Sequence, residues 1–253
     1  MLATRRNAPL ASLAQLRSLI AAAAALTSAT ACKVTDSDNI LTSGMYASMY
    51  ASADGSGTTL VSASLYLGPP TDLIFIDLEG GDELLAHHAG QTKSMSEQII
   101  LNIVTHTASF PDDAADAQFD VEFRRDVDDG APSTVLTLPA PFTLGGVPPS
   151  VSRGAAFGVN WTGSAMDRMR WTAEGQCIQT ASGTINAVGT GDPASVTMAA
   201  GTFVKAPGAS VPDTCQVKVT VVRERDGRVD RGFGEGGTAT GAQTRSVMFT
   251  STP

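Results

Sequence analysis

From Met45 to Ser52 the chain alternates with period two. Met45, Ala47, Met49 and Ala51 fall on one face, and Tyr46, Ser48, Tyr50 and Ser52 on the other. A helix repeats every ~3.6 residues and cannot sort them this way, whereas successive strand residues point to opposite sides. Ala53-Asp54-Gly55-Ser56-Gly57 then supplies a turn. Val61, Ala63, Leu65 and Leu67 resume the alternation against Ser62, Ser64 and Tyr66. Together the two runs predict a β-hairpin. The signature recurs down the chain with frequent turns and no sustained helical periodicity, so the expected fold class is all-β.

Further strands follow in the first region. Leu73 to Leu78 is an apolar strand interrupted by Asp77, and Gly80-Gly81-Asp82 turns into Glu83 to Ala89. Ile99, Leu101 and Ile103 alternate with Ile100, Asn102 and Val104, which predicts a strand buried on both faces. Phe119, Val121 and Phe123 alternate with Gln118, Asp120, Glu122 and Arg124, a half-buried strand. Val135 to Leu138 closes the region. About seven short strands in about 100 residues suggest an immunoglobulin-like sandwich.

Pro139-Ala140-Pro141 and Gly145-Gly146-Val147-Pro148-Pro149 read as a domain junction, because Pro interrupts the strand ladder and stiffens a linker. Strands then resume at Phe157, Val159 and Trp161, at Met169, Trp171 and Ala173, at Cys215, Val217, Val219 and Val221, and at Val247 and Phe249. The expected architecture is two tandem immunoglobulin-like β-sandwiches, 41–140 and 146–253, after a cleaved signal peptide. One larger sandwich with a long loop at the junction is the alternative.

The start of the chain sets the compartment. Arg5, Arg6 and Arg17 precede an uncharged, alanine-rich run that ends in Thr27-Ser28-Ala29-Thr30-Ala31. This is the pattern of a secretory signal peptide, residues 1–31. The run between Arg17 and Lys33 is too short for a membrane-spanning helix, which needs about 20 apolar residues. Removing the leader takes the formal net charge from −8 to −11. So acidic a chain is a poor ligand for nucleic acid, where Lys and Arg must neutralise phosphate.

Ala29-Thr30-Ala31-Cys32 resembles the bacterial lipobox, with Ala29 where Leu is usual. With a polar stretch behind Cys32 and a β-rich body, the layout resembles uncharacterised bacterial envelope lipoproteins with immunoglobulin-like β-sandwich domains. The resemblance implies a diacylglycerol thioether on Cys32, further acylation, and a tether over 32–40. It makes the membrane a partner through a lipid anchor. Lys33 is not the Asp that retains such proteins in the inner membrane of enteric bacteria, so the outer membrane is expected. Soluble export to the periplasm or medium, after cleavage at Ala29-Thr30-Ala31, is the alternative. No activity comes with the resemblance.

Cys177 and Cys215 remain as a pair in an oxidising compartment, which predicts a disulfide. No CxxC is present, so a zinc site is not expected. Gly-x-Ser-x-Gly, His-Glu-x-x-His and the P-loop are absent. Gly232, Gly234 and Gly237 match Gly-x-Gly-x-x-Gly by letter, with no helix behind them for a phosphate. His87 and His88 would point to opposite faces of a strand. Asp112, Asp113 and Asp116, or Asp126, Asp128 and Asp129, lack calcium-loop spacing with a terminal Glu and read as turn carboxylates. No cofactor is expected.

The most distinctive polar stretch runs from Arg223 to Arg231. Arg223, Arg225, Arg228, Asp230 and Arg231 form the candidate binding loop, for an envelope protein or a glycan. Charge pairing across a long hairpin is its structural reading. The expected role is a non-catalytic binding or structural module. An envelope hydrolase with a loop-built site is the alternative.

Overall fold

A computed structural model describes residues 33–163 and 165–253. The expected leader, 1–31, and Cys32 lie outside the described residues. The first half supplies β1 (Lys33–Asp36), β2 (Met45–Ala53), β3 (Thr59–Leu67), β4 (Ile74–Asp77), β5 (Glu83–His88), β6 (Gln91–Ser94), β7 (Ser96–Ile100), β8 (Ile103–Phe110), β9 (Gln118–Arg124) and β10 (Ala131–Thr137). The second supplies β11 (Thr143–Leu144), β12 (Ser150–Ser152), β13 (Phe157–Thr162), β14 (Arg168–Gly175), β15 (Ala181–Asn186), β16 (Ser195–Met198), β17 (Cys215–Asp226) and β18 (Gly237–Thr252). Three single 3-10 turns are the only helical elements among the described residues, and none is long enough to cross a membrane.

The fold is all-β, as the alternation requires. Met45, Ala47, Met49, Ala51 and Ala53 are all buried, while their neighbours on β2 are half-exposed. β2 and β3 pair antiparallel from Met45↔Leu67 to Ala53↔Thr59. Phe119, Val121 and Phe123 are fully buried on β9, between outward-facing Gln118, Asp120, Glu122 and Arg124. Each such aromatic contributes about 1.5–3 kcal/mol of transfer free energy.

Three sheets carry these strands. The largest has eleven strands in the order β1-β4-β3-β2-β18-β17-β14-β15, with β12 on β18 and the β7–β8 hairpin on β3. A four-stranded sheet, β10-β9-β5-β6, lies over its first half, and a three-stranded sheet, β11-β13-β16, over its second. Two cores result. One gathers Met49, Leu65, Phe110, Phe119 and Phe123, and the other gathers Trp161, Met169, Trp171, Cys177 and Phe249.

The expected junction at 139–149 separates the cores but not the largest sheet. β17 and β18 pair over their length, Cys215↔Ser251 to Asp226↔Thr240. β18 also runs parallel to β2, Gly237↔Ala47 to Gln243↔Ala53. Its Ala239 enters the first core and its Phe249 the second. The 41–140 and 146–253 divisions are therefore joined through β18 within one compact unit, Lys33–Pro253.

Two other expectations are corrected. The tether expected over 32–40 is, from Lys33, part of the body. β1 pairs parallel with β4, and Arg125 donates to the carbonyls of Ser37 and Ile40 at 2.7 Å each. The strand expected to be buried through Ile99–Val104 is a two-residue hairpin turn. Leu101 and Asn102 have φ of 52° and 63°. Two consecutive left-handed residues make the turn that fits the twist of paired strands. It leaves Ile99, Ile100, Leu101 and Ile103 exposed and only Val104 buried.

On β8, His106 is buried and its Nε2 has no hydrogen-bond partner. Burial holds the imidazole below the ordinary histidine value, against the opposing pull of Asp77. The unfolded chain therefore binds more protons than the fold between that lowered value and about 6.5, and stability falls as pH drops through this window. Glu97, opposite His106 in the ladder, has its carboxyl raised by burial and by Asp77, which acts in the opposite sense at lower pH. The expected result is a urea midpoint that falls between about pH 7.5 and about pH 5.5. In His106→Leu this dependence should be flatter, and an equal slope in the variant would refute the assignment.

Candidate functional site at the β17–β18 hairpin

The candidate loop residues divide by position. Val217, Val219 and Val221 on β17 face the second core and Lys218 faces out, so the strand begins as a one-sided element. From Val221 to Glu224 every residue is buried. There the strand passes between the ends of both cores, and its charges are matched inside the protein.

Arg223 has no solvent exposure. Its guanidinium donates to the carbonyls of Ala140, at 2.7 Å, and Gly163, at 3.0 Å, and pairs with the equally buried Asp192. Asp192 also accepts the indole N–H of Trp161 at 2.7 Å and the backbone N–H of Ala194 at 2.7 Å. The ring of Phe142 lies 5.0 Å from the Arg223 guanidinium and 5.5 Å from that of Arg245. Arg245 is held below its ordinary value chiefly by desolvation.

Arg225 reaches Asp167 at 2.8 Å and also Asp116 and the carbonyl of Leu138. The hydrogen bonds from Arg225 to Asp167 raise its pKa first, and Asp116 adds to them. Across the sheet, Arg168 and Arg170 clamp Glu224 at 3.1 and 2.7 Å. Arg223 and Arg225 thus cross-link the two halves, and Arg223 is closed off from any partner.

Arg228, Asp230 and Arg231 do lie on the loop after β17. The backbone of Arg228 exchanges two hydrogen bonds with Val135, at 2.8 and 2.9 Å. Burial alone would raise the Asp230 carboxyl, yet donation from Gly232 N, Ser133 N and Ser133 Oγ holds it below the ordinary carboxylate value. The side chains of Arg228 and Arg231 reach solvent. Two adjoining clefts share Arg228 and Val229. One adds Arg168, Asp226 and Gly237 to Thr240, and the other adds Ser133, Asp230 and Arg231. The surface open to a ligand is therefore cationic at Arg228 and Arg231, with carboxylates beside it. Such a rim suits hydroxylated or anionic groups. Reading the sequence misses Arg168, whose signal is its outward place on the Met169-Trp171-Ala173 strand.

Gly232, Gly234 and Gly237 are packed against backbone. A Cβ at Gly234 would collide with the carbonyl of Ser43, and one at Gly237 with that of Ala47. At Gly241 it would strike Thr137 of β10. These glycines let strands approach closely. β18 begins at Gly237, so the last of the three motif glycines already lies in a strand.

The other polar candidates are engaged within the fold. His87 contacts Thr92 and Glu122, and His88 contacts the Gln118 carbonyl and Asp112 while stacking on Phe119. Asp113 accepts from Gly57 N and Asp128 from Thr42 N. Among the described residues no three His, Cys, Asp or Glu side chains gather as a metal site. Cys177 and Cys215 form the expected disulfide, which ties the end of β14 to the start of β17.

No protein-family model matches the chain, and no curated protein matches it. Among solved structures it is similar to the adhesin InvE of Yersinia pseudotuberculosis, at 15% identity and a TM-score of 0.22, over 80% of this chain and 58% of that one. The chain thus spans under two thirds of that adhesin, and a likeness at this score carries no inference about function.

Proposed function

We propose that this is an exported bacterial envelope protein, lipid-anchored through Cys32 at the outer membrane, that serves as a non-catalytic binding or structural module. The observation that carries the reading is the Cys177–Cys215 disulfide, because such bonds persist in oxidising compartments outside the cytoplasm. It agrees with the leader pattern and the lipobox-like Ala29-Thr30-Ala31-Cys32. The ion pairs favour a module, since buried Arg223 is committed to Asp192, and part-buried Arg225 to Asp167 and, across to the first half, to Asp116. The two cores are read as two sandwich-type modules joined through β18. The rim at Arg168, Arg228 and Arg231 is the surface offered to an envelope protein or glycan.

The test is acylation. In a native host fed a labelled fatty acid, the parent should carry label in the membrane fraction and Cys32→Ser should carry none. An unlabelled parent recovered in the soluble fraction would overturn the anchor.

A further inference from the structure

One end of the large sheet concentrates aliphatic surface. β3 pairs with β2 along one edge, and its other edge is shared between β8, over Thr59–Ala63, and β4, at Tyr66. Because β8 runs antiparallel to β3, its first residues and the turn before them head for the Leu67 end of β3. Ser64 Oγ, donating to the Val104 carbonyl at 2.9 Å, keeps that course. β4 places Leu73 and Ile74 at the same end, and Lys33 pairs with Ile74 and donates its N–H to the Leu73 carbonyl. The tip of the β7–β8 hairpin and the first described residue, Lys33, therefore share one end of the sheet.

That tip is apolar and open. Leu101 is 87% exposed and Ile100 66%, with Ile99, Ile103, Leu73 and Val34 also exposed. β7 is exposed along its whole length, on both faces. Between Glu97 and His106 no residue is charged. Leu101 sits in a left-handed conformation that suits Asn or Gly. A bulky aliphatic side chain held there against its backbone preference, and presented to water, points to a role outside folding.

We infer that the β7–β8 tip is a second membrane contact, with Ile99, Ile100, Leu101 and Ile103 entering the lipid interface. The assignment to lipid rests on the anchor reading, because Cys32 is bonded to Lys33 and a membrane holding Cys32 would meet this end first. A convex tip open on both faces suits a fluid acyl boundary and offers no groove for a peptide. Insertion would fix the body's orientation, with the Arg228–Arg231 rim carried on a separate hairpin.

Leu101→Trp tests this directly on vesicles of phosphatidylethanolamine and phosphatidylglycerol, with and without brominated acyl chains. Two forms are used, the lipidated full-length product and the chain from Lys33, which holds both cores and the disulfide. Bromolipid should quench the emission of the introduced indole, while the parent, whose Trp161 and Trp171 are buried, should be unchanged. Ile99→Ser with Ile100→Ser and Leu101→Ser should lower vesicle binding of the chain from Lys33 at least about tenfold, with the melting temperature kept. An introduced indole left unquenched in both forms overturns the inference, as does a dimer, or a leader-bearing chain, that shields it from lipid. Acylated Cys32 with an unquenched tip indole removes the tip and leaves the anchor standing. A quenched tip indole with unlabelled Cys32 removes the anchor alone.

Discussion

Arg223→Met should unfold the protein at markedly lower urea, with a loss of about 3–5 kcal/mol, because removing one member of a buried pair leaves the other charge uncompensated. Asp192 would keep its bonds to Trp161 and Ala194 but lose the cation paired with it, and the carbonyls of Ala140 and Gly163 would lose their donor. Asp192→Asn should cost a comparable amount by stranding the guanidinium. Arg223→Met combined with Asp192→Asn should cost less than the two single losses together, since neither member of the pair then leaves a charge behind. Urea titration followed by tryptophan emission reads the cycle, with Trp161 as a local probe. A midpoint within about 0.5 kcal/mol of the parent for Arg223→Met would show that the pair is not needed.

Replacing Cys177 and Cys215 together by Ala should cost about 4 kcal/mol on the chain-entropy model for a loop of this length. The bond spans a sequence separation of 38, and the loop it closes holds β15, β16 and much irregular chain. The second core is the smaller, so it depends more on a covalent closure. Calorimetry of the variant, and of the parent with reductant, should give the same lowered melting temperature. Because β18 enters both cores, the first core should melt with the second in one transition. Two separated transitions would contradict that coupling.

Much of the fold is legible in the sequence. Met45–Ala53, Thr59–Leu67 and Gln118–Arg124 each have one buried face, and alternation reports that directly. Val217, Val219 and Val221 fall on one face for the same reason. What the pattern misses is non-local or unmarked. The Ile99–Ile103 run reads as interior because apolar composition does not distinguish a buried strand from an exposed tip. β18 is recognisable only near Val247 and Phe249, since its start, Gly237-Thr238-Ala239-Thr240-Gly241, has small side chains where backbones meet. Arg223 and Arg225 read as surface charge because their partners, Asp192 and Asp167, lie far off in sequence. The parallel pairing of β2 with β18 joins residues about 190 positions apart, and no local pattern records it.

That pairing bears on how the chain reaches its native state. Threaded out from its N-terminus, the chain presents β2 early, but the neighbour of β2 is among the last segments to emerge. Until Gly237–Gln243 arrives, the Met45–Ala53 strand has a bare edge, the kind of surface that misassembles. Closing so distant a contact is slow compared with making local hairpins. The nascent chain therefore passes through an open intermediate in which the β2 edge waits for a strand made near the end of synthesis.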